Sequence, residues 1–138
     1  MYAYELSVYT ELFDFDNSHV LGKFYYLGPD EMLHPLGDAI KKYMQPPVCG
    51  MLVYTETSNV KPFFNERPVM SVGLAQYGTA ELELNFDAEA GNDLFFDRET
   101  SLLTLDRHPA NVQAIGRVIE KLDGNTYKIE INMDKIWR

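Results

Sequence analysis

Chemistry in this chain would have to come from three histidines, one cysteine and a few groups of carboxylates. His19, His34 and His108 are far apart, and none stands in H-x-x-x-H or a comparable metal-ligand spacing. A hard cation needs several carboxylate oxygens at once. The nearest patterns are Asp14-x-Asp16-Asn17 and Asp93-x-x-x-Asp97-x-Glu99, and neither carries the glycine and distal glutamate of an EF-hand loop. Solvated loop acids are the expected reading of both. Glu81, Glu83 and Asp87 are carboxylates at strand spacing, the raw material of paired acid–base work. Like charges on one strand face repel, so such a row belongs in water or opposite a basic partner. Cys49 has no histidine near it in sequence and reads as a small buried residue rather than a nucleophile. No G-x-S-x-G elbow, phosphate-cradling glycine loop or Ser/His/Asp arrangement occurs. The sequence points to no catalytic residue, no cofactor and no metal site, and the expectation is a protein that is not an enzyme.

The elements that would position these residues are strands. Tyr4 to Phe13 alternates over an unusual length, the loop Asp14 to Ser18 breaks it, and Val20 to Leu27 follows. These two runs could pair as a hairpin. Pro29-Asp30-Glu31 opens like a helix start, but Pro35 and Gly37 interrupt it. The one short helix is expected over Asp38 to Met44, with Ile40, Tyr43 and Met44 on a common side, and Pro46-Pro47 stops it. A strand over Cys49 to Thr55 comes next.

Lys61-Pro62-Phe63-Phe64-Asn65-Glu66-Arg67-Pro68 can be neither helix nor central strand. It is either a loop pinned to the core by Phe63 or Phe64, or an arm that docks on another subunit. A seam there divides an irregular N-terminal half, 1–68, from a regular one, 69–138, within a single domain. Beyond it, Tyr77-Gly78 reads as a turn between Met70–Leu74 and Leu82–Phe86. Leu94–Asp97, Leu102–Leu105, Val112–Ile119 and Thr126–Met133 complete the strands. In the last, Tyr127, Ile129 and Ile131 face the core and Thr126, Lys128 and Glu130 face away. Turn signals every 8 to 12 residues or so predict a mainly β chain: a small antiparallel β-barrel or sandwich with one short helix. Ile115, Val118, Ile129 and Ile131 are expected in its core.

Composition sets the bounds. A chain of 138 residues with 46% apolar residues can build a core without disulfide staples, and its single cysteine offers none. The balance of 21 acids against 12 bases, net −9, works against binding a phosphate backbone, so no nucleic-acid partner is expected. Lys41-Lys42 is the densest basic cluster. No apolar run reaches the ~18 residues that span a bilayer, and no basic-then-apolar leader opens the chain. No membrane partner is expected, and synthesis in a reducing cytoplasm is. Nine Tyr and eight Phe either reflect β-rich composition or include rings at an interface.

The C-terminal half has an order of pieces with a known likeness. Ala90-Gly91-Asn92-Asp93 turns into Leu94-Phe95-Phe96 and Asp97. A short strand pair, Ala114-Ile115-Gly116-Arg117-Val118, a turn at Gly124 and the closing strand Thr126–Met133 follow. Over Val69–Met133 this resembles the capsid decoration (cement) proteins of tailed bacteriophages. The resemblance implies a structural virion protein on the capsid exterior, made in the host cytoplasm, that bridges and stabilises major capsid protein subunits. It further implies a small symmetric homo-oligomer, a trimer before a dimer. The contact residues expected on this reading are Tyr2, Tyr4 and Tyr9, the pair Phe63 and Phe64, and Trp137, which either closes the barrel or packs on a neighbour. The competing expectation is a tail or baseplate component, or another β-barrel binding module, which a pocket lined by Phe24, Tyr25 and Tyr26 would favour.

Overall fold

The computed structural model describes residues 2–9, 21–58, 69–107 and 113–137. Nine strands and one helix are placed: β1 (Tyr2–Tyr9), β2 (Phe24–Leu27), β3 (Leu33–Pro35), α1 (Leu36–Lys41), β4 (Cys49–Ser58), β5 (Val69–Glu83), β6 (Asp93–Phe96), β7 (Leu103–Thr104), β8 (Gly116–Lys121) and β9 (Thr126–Asn132). A 3-10 helix, Met133–Trp137, follows β9. The chain is mainly β, one antiparallel sheet in the order β3-β2-β4-β5-β9-β8-β6-β7, with β1 added against β5. The sheet curls into a half-barrel.

Among the described residues the expected hairpin between the first two runs does not form. β1 pairs with β5, and β2 pairs with β3 and β4. β5 is the hub, because 15 residues are long enough to serve several partners. Val69–Ala75 is flanked by β1 and by β4, while Tyr77–Glu83 pairs with β9.

Tyr77-Gly78 is not the turn its composition suggested. The strand runs through Gly78 at φ +117, and Gln76 is an extra residue between the pairs Ala3–Ala75 and Tyr2–Tyr77. An inserted residue bends a strand and reverses which side chains face the core. Ala75 therefore enters the main core before the bend, and Ala80, Leu82 and Leu84 enter it after.

The main core lies on one face of the sheet and draws on both halves of the chain. Phe24, Leu36 and Met51 pack with Leu94, Val118 and Ile129, all fully buried. The expected core residues Ile115, Val118, Ile129 and Ile131 are at most 3% exposed. Strand alternation sends the neighbours of Phe24, Met51 and Ala75 to the other face. There Tyr25, Leu33, Leu52, Val72 and Leu74 form a second cluster.

The β8–β9 hairpin follows its sequence. Residues 122–125 close it, with Gly124 at φ +60 and Leu122 N–H donating to the Thr126 carbonyl at 2.9 Å. A bulge between Val118 and Glu120 leaves Ile119 exposed.

The helix begins earlier than its periodicity suggests, at Leu36 directly after Pro35, and ends at Lys41. Gly37, which should weaken a helix, is required by packing. A Cβ there would land on the carbonyl oxygen of Arg98. Gly37 N–H donates to the Ser101 hydroxyl, and Phe24 N–H donates to the Ser101 carbonyl, each at 2.8 Å. Ser101 is buried and held at φ +58. Lys41 pairs with Glu99 at 2.7 Å, and the Phe24 and Phe96 rings meet edge to face. The 97–101 turn is thus a clasp: it ties β2 and α1, near one end of the sheet order, to β6 and β7 at the other.

Candidate functional site

Among the described residues the groups that could carry acid–base or metal chemistry are dispersed in space; Asp14, Asp16 and Asn17 lie outside those residues. Glu81, Glu83 and Asp87 are exposed. Glu81 stands across from Lys128, and Glu83 across from Thr126, in the β5–β9 ladder. Glu99 is taken up by Lys41, and Asp97 accepts the Glu99 N–H at 2.9 Å, so the acids of that segment cap a turn. Among the described residues no group of three or more His, Cys, Asp or Glu side chains could hold a metal ion.

His34 does have a partner, in the β2–β3 hairpin. Its Nε2 lies 2.8 Å and 2.9 Å from the two carboxylate oxygens of Asp30, which also accepts the Met32 N–H at 3.1 Å. The hydrogen bond from His34 holds the Asp30 carboxyl below its ordinary value. The pair is exposed and closes the hairpin turn. His19 and His108 lie outside the described residues.

Cys49 is buried, and its Sγ donates to the Pro46 carbonyl at 3.6 Å. Burial pushes the thiol up to about 11, so it stays protonated near neutrality and is a poor nucleophile.

Of the expected contact residues, Tyr2, Tyr4 and Tyr9 lie on β1, opposite Tyr77, Leu74 and Val69 of β5. Among the described strands β1 pairs with β5 alone, which leaves its other edge open to a partner strand. Tyr77 is also in register with Asn132, so β5 brings the start of β1 to the end of β9 and the 3-10 helix that ends in Trp137. Phe63 and Phe64 lie outside the described residues.

The consecutive rings Phe24, Tyr25 and Tyr26 do not share a pocket. Alternation puts Phe24 in the main core and Tyr25 in the second cluster, both buried, while Tyr26, partly buried, packs at the edge of the main core with the His34 ring 5.5 Å away.

No family model, no curated protein and no solved structure matches this chain.

The functional surface is therefore read from the geometry, and two features stand out. The first is a knob after α1. Tyr43 occupies the position where a left-handed residue, usually glycine, ends a helix; it has φ +57 and is 99% exposed. Met44 beside it is 45% exposed. Ile40, Tyr43 and Met44 therefore do not share a side: Ile40 packs against the main core, while Tyr43 and Met44 lie past the end of the helix and are exposed. A common side would need the helix to run on to Met44, whereas it ends at Lys41. The available signal was an apolar pair between Lys41-Lys42 and Pro46-Pro47.

The second feature is a half-open groove of about 820 Å³ over the far end of β5. Leu21, Leu52, Val53, Leu82 and Phe86 make its apolar lining, and Glu81 and Glu83 also line it. It was illegible in the sequence, since five separate segments build it.

Proposed function

We propose that this protein is a structural virion component that decorates the outside of a phage capsid, bridging major capsid subunits as a small symmetric oligomer. The observation that carries the reading is a surface fitted for docking on a scaffold whose described polar groups are solvated or engaged in turns. Tyr43 is wholly exposed, Tyr77 and Leu21 are about half exposed at 50% and 53%, and an apolar groove opens beside the acidic row. Exposed apolar features rimmed by charge mark interaction sites.

The resemblance over Val69–Met133 also favours this reading, and its glycines hold backbone positions that any small β-barrel needs. Gly91 turns at φ +92, and a Cβ on Gly116 would lie 2.5 Å from the Glu130 carbonyl oxygen. Binding an assembled lattice but not its free subunits stabilises the lattice by mass action.

Quantitative mass spectrometry of purified particles tests this. A copy number in the hundreds is expected. A handful of copies favours the second reading, a tail or baseplate component or other binding module, for which the groove is the supporting observation. Absence from particles would sink both virion readings.

A further inference from the structure

The geometry points to a contact between copies in which the Tyr43 knob of one chain fills the β5 groove of the next. It rests on the proposed function only in that copies associate; where the assembly sits is a separate question.

Three observations select a second copy as the occupant. Among the described residues the groove is apolar and open, and at about 820 Å³ it is large enough for an aromatic and a thioether side chain together. The knob has that chemistry: Tyr43 and Met44 project on a tip held by three backbone hydrogen bonds, from the N–H groups of Lys42, Tyr43 and Met44 to Ala39 and Ile40 carbonyls at 2.9 to 3.1 Å. A preformed tip loses little freedom on docking.

Charge completes the match. The chain carries net −9, so two copies repel unless a basic spot meets an acidic one. The densest basic cluster, Lys41-Lys42, adjoins the knob, and Glu81 and Glu83 adjoin the groove. Lys41 is occupied by Glu99, whereas Lys42 and Glu83 make no ion pair among the described residues. Lys42 against Glu83 is therefore the pairing the surfaces leave open.

Knob and groove are different patches, so the contact either pairs reciprocally across a two-fold axis or runs head-to-tail into a ring or chain.

The test uses purified full chain in analytical ultracentrifugation. The parent should self-associate, and Tyr43→Ser and Glu83→Lys should each weaken association by about tenfold or more. Both residues are exposed, so both variants should keep the parent's denaturation midpoint. Mixing the two variants supplies one intact knob and one intact groove and should restore a 1:1 heterodimer that neither forms alone. Lys42→Glu combined with Glu83→Lys in one chain should recover association that each change loses singly.

A parent that stays monomeric at about 200 μM, weaker than a useful affinity for a specific contact, overturns the proposal. So does Tyr43→Ser associating like the parent, or a variant mixture without heterodimer. A monomeric parent found on particles in high copy would refute this contact and leave the proposed function standing.

Discussion

Ile129→Ala is expected to destabilise the protein by roughly 2 to 4 kcal/mol, the usual range for emptying an aliphatic core site. Ile129 is fully buried at the middle of β9, opposite Ala80 of β5 on one side and Val118 of β8 on the other. Both flanking strands are themselves paired, so the walls have little freedom to collapse into the space left behind. Urea denaturation should show a lower midpoint with an unchanged slope, since the surface exposed on unfolding hardly alters. An unchanged midpoint would mean that the β8–β9 hairpin does not carry the main core.

Gly37→Ala should also destabilise, by roughly 1 to 3 kcal/mol, the range for forcing extra volume into a packed site. The sign is the informative part. In a solvated helix, replacing glycine by alanine stabilises by about 1 kcal/mol. Here the added methyl meets the Arg98 backbone carbonyl, which cannot rotate away as a side chain could. Relief requires α1 to lift from the 97–101 turn, which breaks the hydrogen bond from Gly37 N–H to Ser101. Amide exchange should quicken at Gly37 and Phe24, the two donors to Ser101, more than at the β8–β9 hairpin. A stabilised variant would mean that α1 does not press on this turn and that the clasp is not closed there.

These two sites mark what was legible in the sequence. Ile129 could be placed because a period of two is a local property, and Tyr127, Ile129 and Ile131 sit where it predicts. The Gly91 and Gly124 turns were equally local. Gly37 read as a helix breaker because its reason lies some sixty residues away, in the backbone of Arg98. Tyr77-Gly78 misled for a related reason. Composition favours a turn, yet the surrounding ladder holds the strand extended through the glycine and converts it into a bend. The partners of β1 were likewise beyond local signals, since β1 skips the next strand and joins β5.

The candidate site was less legible than the fold. A groove assembled from Leu21, Leu52, Leu82 and Phe86 has no sequence spacing to find. Tyr43 was visible as a residue, but its exposure depends on α1 ending at Lys41. Tyr2, Tyr4 and Tyr9 were expected at a contact from the resemblance and from the length of their aromatic strand. Their strand has an open edge among the described residues, a property of pairing rather than of composition.

The central claim, that this scaffold acts by docking on an assembled capsid, is tested most directly by imaging. Electron-microscope reconstructions of particles made with and without the protein should differ by compact density outside the shell, at joints between major capsid subunits. Difference density confined to the tail, inside the shell, or absent altogether would contradict the account.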